Sequence, residues 1–216
     1  NIDCVLVLGG DGTMLQAAAD LADLTVPFLG INLGTLGFLA EVNKTDIEHA
    51  LLRLIEGDYE IEKRMMLTGD VFQKDRDMPE DSTQALNDIV ITRKGSLQII
   101  IFTISVNGQF LHRYSADGMI VATPTGSTGY NLSAGGPVVD PKAQLMVISP
   151  ICPHSMQHSS IVLSPEDEVT ISIDTGHDGT VQEVEASFDG NHRVTLRTGD
   201  RIVIRRSSRT TGIIKL

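Results

Sequence analysis

Five apolar residues, Cys4-Val5-Leu6-Val7-Leu8, run straight into Gly9-Gly10-Asp11-Gly12-Thr13, and Ala and Leu then recur at helical spacing from Thr13 to Leu24. That order predicts a buried strand, a tight turn and a helix. Val26 to Ile31, with Pro27 near its start, repeats the buried-strand pattern. Thr45-x-x-Glu48 then reads as a capping box, and Ile47, Leu51, Leu54 and Ile55 form an apolar helical face that ends at Gly57. Residues 1–62 therefore read as βαβα, which requires a parallel sheet flanked by helices, a Rossmann-like α/β part.

After Lys63-Arg64 the apolar period becomes twofold, and residues 63–216 read as an all-β, sandwich-like domain. Strands are expected at Met65 to Phe72, Leu86 to Thr92, Leu97 to Val106, Met119 to Ala122, Leu145 to Ile148, Val169 to Ile173, Val184 to Phe188 and Ile202 to Arg205. Asn107-Gly108, Gly176-His177-Asp178-Gly179 and Asp189-Gly190 supply turns between them. Lys74 to Asp81, acidic and containing Pro79, reads as a mobile loop.

The glycine turn carries the first chemical signal. Where a strand hands over to a helix N-terminus, backbone N–H groups converge and the helix dipole favours an anion, so a phosphate is the natural ligand. Glycines let the backbone approach it closely. The spacing is neither GxxxxGK[ST] nor GxGxxG, because Gly12 is followed by Thr13-Met14-Leu15. Asp11 sits inside this phosphate turn, where it would repel the ligand unless it binds a metal or takes a proton from an attacking hydroxyl. Both roles belong to phosphoryl transfer.

A second constellation, Ala122-Thr123-Pro124-Thr125-Gly126-Ser127-Thr128-Gly129-Tyr130-Asn131-Leu132-Ser133-Ala134-Gly135-Gly136-Pro137, follows the apolar strand at Met119. It combines many hydroxyls and glycines with one aromatic face, Tyr130, suited to a base or ribose. Composition narrows the ligand further. A formal charge of −11 and 4% aromatics give no field or stacking surface for nucleic acid, so a nucleotide must be held by local donors. No apolar run approaches a membrane span of about 18 residues. Two cysteines without a CxxC pair fit a reduced, cytoplasmic compartment.

The turn Gly9 to Thr13 resembles the GGDGT loop shared by NAD kinases, by diacylglycerol and sphingosine kinases and, in related form, by phosphofructokinases. The run Thr123 to Pro137 resembles the second signature of NAD kinases of the bacterial type. So do Gly30-Ile31-Asn32-Leu33-Gly34-Thr35-Leu36-Gly37-Phe38-Leu39, Glu62-Lys63-Arg64-Met65, Leu86-Asn87-Asp88 and Pro150-Ile151-Cys152-Pro153-His154, in family order. The resemblance implies a kinase that moves the terminal phosphoryl group of ATP, or of another donor, to the adenosine ribose 2′-hydroxyl of NAD.

It further implies a catalytic base at Asp11 and a triphosphate cradle of Gly9, Gly10, Gly12 and Thr13 with Mg2+-bound ATP. NAD would be contacted by Asn32, Phe38, Asn87, Asp88, Asp117, Thr125, Thr128, Gly129, Tyr130, Asn131, Leu132, Ser133 and Asn191. It implies a dimer or tetramer, no nucleic-acid or membrane partner and no tightly bound prosthetic group. No metal ligand is assigned. Against the family pattern, Asp88 stands where Glu is usual, and Ser115-Ala116 precede Asp117-Gly118 where Arg or Gly is common. That leaves Lys63, Arg64, Arg93 and Lys94 as the basic candidates nearest in sequence. By the same resemblance, the sequence is expected to lack the family's βα segment before the glycine turn and its tail after the last strand.

The rival readings are a lipid or sugar kinase using the same turn, and a dinucleotide-binding module without catalysis. His154-x-x-x-His158 has a spacing that could hold zinc but lacks a third ligand at motif distance. Ser127 and Ser133 lack a GxSxG elbow. Arg205, Arg206 and Arg209 read as a solvated strand end.

Overall fold

The computed structural model describes residues 2–22, 24–34, 37–95, 99–154 and 159–216, apart from the side chain of Asp178. Thr35-Leu36, the start of the strand expected from Leu97, and His158 lie outside the described residues. The chain divides into two compact units, residues 1–65 with 209–216, and residues 66–208.

In the first unit, strand β1 (Val5–Gly9) leads into helix α1 (Asp11–Asp20). β2 (Phe28–Asn32), β3 (Val42–Asn43), helix α2 (Ile47–Glu56) and the start of β4 (Glu60–Phe72) follow. β2 pairs in parallel with β1 and with β3. The end of β15 (Arg201–Lys215) also joins it in parallel, Ile213 opposite Phe28. Leu29, Ile31, Val42, Ala50 and Ile214 form the core, with Ile47 and Leu54 packed on it. The buried face of α2 is therefore Ile47, Ala50 and Leu54, and Ile55 points to solvent at 82% exposure. Gly57, at φ 75°, ends the helix in the left-handed conformation.

The expected capping box does not form. A 3-10 turn over Lys44–Asp46 precedes α2, no side chain caps either N-terminus, and the Thr45 hydroxyl instead donates to the Asp46 carboxylate at 3.3 Å. Thr45→Ala is therefore expected to change unfolding free energy by less than about 0.5 kcal/mol in a urea titration, rather than the ~1 kcal/mol of a lost cap.

The second unit is all β apart from short helical turns. Its strands are the rest of β4, β5 (Asp81–Ala85), β6 (Asp88–Arg93), β7 (Ile100–Val106), β8 (Gln109–Ala116) and β9 (Gly118–Ala122). A four-residue helix α3 (Tyr130–Ser133) separates these from β10 (Met146–Ile151), β11 (Ile161–Leu163), β12 (Val169–Ile173), β13 (Glu183–Phe188), β14 (His192–Arg197) and the first part of β15. β11, β10, β9, β6, β13 and β14 lie side by side in that order, every neighbouring pair antiparallel. The other layer holds β8, β7, β12 and β15, again antiparallel, and the β4–β5 hairpin. A Cβ on Gly69 of β4 would lie 2.7 Å from the Phe188 ring and 2.9 Å from Ile89, so the layers touch at a site only glycine can occupy. Phe102, Phe188, Ile89, Ile91, Ile104 and Met119 are fully buried. Each contributes roughly 1.5–3 kcal/mol of apolar burial.

β12 alternates buried Val169, Ile171 and Ile173 with half-buried Thr170 and Ser172, the pattern of a strand with one covered face. β9 and β10 are buried along their whole length. Ala134, Val139 and Leu145 explain this, because they pack on Val90, Ile120, Ala122, Val147 and Ile151 and cover the second face of those strands. The hydroxyl- and glycine-rich segment is thus anchored by its apolar residues, and that fixes the candidate site. Among the described residues no helix is long and apolar enough to cross a membrane.

Candidate functional site

In the first unit the glycine turn has two kinds of glycine. A Cβ on Gly9 would lie 2.3 Å from the Thr13 hydroxyl, so the fold itself demands glycine there. Cβ atoms on Gly10 and Gly12 would meet nothing within 4 Å, and Gly10 has an ordinary extended backbone, φ −102°. The protein's own packing therefore does not require glycine at these two positions. Thr13 and Met14 donate to the Gly10 carbonyl, while the Asp11 and Gly12 amides precede the first intrahelical bond and leave the positive end of α1 open.

Asp11 is the first helical residue, and its carboxylate is already engaged. Oδ2 accepts the Phe38 amide at 2.8 Å, and Oδ1 accepts those of Leu39 at 3.0 Å and Ala40 at 3.4 Å. Three of about four lone-pair directions are taken, which leaves room for one further donor. A Cβ on Gly37 would lie 2.1 Å from Oδ1, so glycine is required where this segment meets the carboxylate. Leu39 and Ala40 are buried, whereas the Phe38 ring is 65% exposed. Asp11 thus holds an exposed aromatic beside the helix terminus. Asn32 is buried and its Oδ1 accepts the Gly34 amide at 2.9 Å, which forms a tight turn at the end of β2.

The second unit gathers three stretches distant in sequence: residues 86–88, 123–131 and 189–191. Thr123 donates its hydroxyl to the Leu86 carbonyl at 2.6 Å, and the Thr123 amide donates to the Asn87 carbonyl at 2.8 Å. A Cβ on Gly126 would lie 2.1 Å from that carbonyl, so the two turns touch backbone to backbone. At Gly129 the nearest side-chain atoms would be Asn87 Nδ2 at 3.6 Å and Asp88 Oδ2 at 4.0 Å. The Asn87 Oδ1 is buried without a hydrogen-bond partner. An unmet acceptor of this kind asks for a donor from a ligand.

Asp88 is 6% exposed, and burial followed by the nearby Asp189 charge pushes its carboxyl up to about 7. Asp189 is also raised by burial, against three backbone amides that favour its charged form. These are the amides of Leu86 at 2.6 Å, Asn87 at 2.7 Å and Asp88 at 3.0 Å.

Within the signature segment most polar side chains hold the segment itself. A 3-10 turn covers Thr125–Thr128, and Thr123, Thr125, Ser127 and Asn131 are buried. Ser127 Oγ lies within hydrogen-bond reach of the Pro124 and Val139 carbonyls and accepts the Val139 amide. Thr128 donates to the Thr125 carbonyl. The Asn131 amide donates to the Ser127 and Pro137 carbonyls and accepts from Ser149, which meets Ser160 at 2.7 Å. Tyr130 and Leu132, at 45% and 46%, and Ser133 are left exposed on α3.

The remaining predicted residues are placed differently. Asp117 pairs with Arg93 at 3.1 Å, at the opposite end of β9 from Thr123. Six residues of extended chain put it about 20 Å from that turn, so one chain does not bring Asp117 together with Asn87 and Asp88. Asn191 is exposed, its amide closing the β13–β14 hairpin on the Phe188 carbonyl. Of the basic candidates, Arg64 is buried beside Glu62, and Lys94 pairs with Glu183. Arg205 pairs with Asp70 and Glu168, and Arg209 donates to the Ala22 carbonyl. Among the described residues no group of three or more His, Cys, Asp or Glu could hold a metal ion. Asp189, Ser149 and Ser160 carry no local signal of their place here; the Asp189-Gly190 pair announces only a turn.

Residues 1–59 match the ATP-NAD kinase N-terminal domain, and residues 86–216 match the ATP-NAD kinase C-terminal domain. The chain is 44% identical to an NAD kinase of Lachnoclostridium phytofermentans over all of its own length and 76% of that protein. It is 47% identical to one of Agathobacter rectalis, again over its whole length and 75% of the relative. Among solved structures it is similar to yeast NADH kinase complexed with NADH, with a TM-score of 0.91 and 31% identity. That match covers the whole chain and 62% of the yeast protein's chain. An NAD kinase from Archaeoglobus fulgidus in complex with ATP matches the whole chain and 78% of its own, with a TM-score of 0.83 and 29% identity.

Proposed function

The chain belongs to the NAD kinase family, a family of phosphotransferases, and from that premise we propose that it transfers the terminal phosphoryl group of ATP to the adenosine ribose 2′-hydroxyl of NAD, giving NADP. The observation that carries the reading is Asp11, a carboxylate oriented by three amides beside two glycines whose bare backbone the fold does not need. In the proposed step the 2′-oxygen attacks the terminal phosphorus, the bond from that phosphorus to the bridging oxygen breaks, and ADP leaves. Asp11 aligns the hydroxyl through its remaining lone pair and takes the proton late, because such transfers are loose and a sugar hydroxyl is a weak acid.

The amides of Gly10, Asp11 and Gly12 receive the triphosphate beside the Thr13 side chain, with Gly9 shaping the turn. Magnesium belongs to the substrate complex: it arrives with ATP and neutralises phosphate charge, a role that needs no three-ligand protein site. Asn87, Asp88 and the exposed Tyr130, Leu132 and Ser133 meet NAD. Thr125, Thr128, Gly129 and Asn131 give their segment its shape, and the exposed Phe38 and Asn191 are candidates for further contacts with NAD. Asp117 serves a neighbouring chain in a homo-oligomer, consistent with its distance from Thr123. Both cysteines are free thiols, which supports a cytoplasmic setting.

Incubating the chain with NAD, ATP and magnesium and reading NADP with an NADP-specific dehydrogenase is expected to show turnover that requires all three. NAD binding without NADP formation would leave a binding module. Phosphorylation of a lipid or sugar instead of NAD would move the chain to another branch.

A further inference from the structure

Asp189 is the first of the three residues, Asp189 to Asn191, that join β13 to β14, with φ 50°, followed by Gly190 at φ 76°. Asp-Gly in this geometry is a common hairpin turn and by itself calls for no further role. The carboxylate has one. It accepts three consecutive backbone amides, those of Leu86, Asn87 and Asp88, from a segment about a hundred residues earlier. The Asp189 amide returns a bond to the Asp88 carbonyl at 3.0 Å. Pairing of β6 with β13 places Ile89 opposite Phe188, so the ladder hands the two turns to each other at its end. A carboxylate bound by several amides fixes their plane far more tightly than neutral bonds do. The next residues outward are Asn87, whose Oδ1 is buried and unpartnered, and Asp88, whose Oδ2 faces Gly129.

We infer that Asp189 is a positioning residue for the dinucleotide: seated on the amides of residues 86–88, it sets the orientation in which the Asn87 amide and Asp88 carboxylate meet NAD. This rests on the NAD kinase reading. Asp189 does not touch the reacting atoms. It acts through a backbone turn it holds from across the sheet and through its charge, which bears on Asp88.

The test is Asp189→Asn in the full chain, with steady-state kinetics in NAD and in ATP across pH 5–9. An Asn offers one acceptor oxygen where the carboxylate offers two, and its amino group faces amides that are themselves donors. KM for NAD is expected to rise about tenfold or more, with KM for ATP unchanged within about twofold. With the Asp189 charge gone, the limb of kcat/KM for NAD set by Asp88 moves to lower pH. Merely structural damage would lower activity toward both substrates equally and leave that limb in place. Such a result, or an unchanged KM for NAD, overturns the assignment. In a cycle with Asp88→Asn the two losses should be markedly less than additive, and simple additivity also overturns it.

Should Asp189→Asn not fold, wild type decides. Its 86–88 amides should resist hydrogen exchange as well as the β6–β13 ladder does, and their shifts should titrate with the same midpoint as KM for NAD. Rapid exchange, or unrelated midpoints, counts against the proposal. Wild type that makes no NADP at all would instead refute the underlying kinase reading.

Discussion

Replacing Asp11 by Asn is expected to lower NADP formation by about 10³-fold, within the range seen when a positioned proton acceptor is lost. The structure adds a second consequence. The substituted side chain would present one oxygen and one amino group to the amides of Phe38, Leu39 and Ala40, and the amino group cannot accept them. The segment that carries the exposed Phe38 would loosen, so KM for NAD should rise together with the fall in kcat. Gly37→Ala separates the two effects, because its Cβ would lie 2.1 Å from Oδ1 and displace the segment while leaving the carboxylate in the protein. If Asp11 does chemistry as well as anchoring, Asp11→Asn loses at least about tenfold more kcat than Gly37→Ala. Equal losses would reduce Asp11 to an anchor.

The second large effect concerns stability. Asp88 has an ordinary value of 3.8 that burial and Asp189 push up to about 7. Between those pH values the folded protein holds a proton at Asp88 that the unfolded chain has released. Stability is therefore fully present below about pH 4 and falls as pH rises through 7, by up to roughly 4 kcal/mol at about 1.36 kcal/mol per unit. Asp88→Asn removes the ionisation while keeping shape. Urea titrations should find it more stable than wild type at pH 8 by several kcal/mol, with the advantage fading toward pH 5. A difference that does not vary with pH would show that Asp88 is not held in its neutral form. The same variant is expected to bind NAD more weakly, since a buried carboxylate that lowers stability at neutral pH persists where a ligand needs it.

Much of the fold was legible locally. The glycine turn, the βα opening, the twofold period after residue 63 and the Asn107-Gly108 and Asp189-Gly190 hairpins all follow from side-chain period and turn chemistry, which act over a few residues. Strands escape such a reading where burial is sparse. β14 buries only Leu196 fully, β5 is polar until Ala85, and β8 begins with three exposed residues. β15 runs on to Lys215 through Arg205-Arg206-Ser207-Ser208-Arg209-Thr210, a stretch that reads as solvated end, and its last residues complete the first unit's sheet beside Phe28. β15 also pairs with β4 and β12, and these ladders, which the local sequence does not announce, keep the polar run extended.

The sequence by itself determined the kind of chemistry: a strand-to-helix glycine turn receives phosphate, and a carboxylate inside it points to phosphoryl transfer. It also marked Asn87, Asp88 and Tyr130 through their resemblance to a known signature. The tertiary structure decided what those carboxylates rest on. Asp11 binds amides 27 to 29 residues away and Asp189 binds amides 101 to 103 residues away. The same packing separates Asp117 from Asn87 and Asp88 and pushes Asp88 toward neutrality. The physical reason is range. Turn and strand preferences are written in neighbouring side chains, whereas the partners of a buried carboxylate, and hence its orientation and charge, exist only once distant backbone has been brought to it.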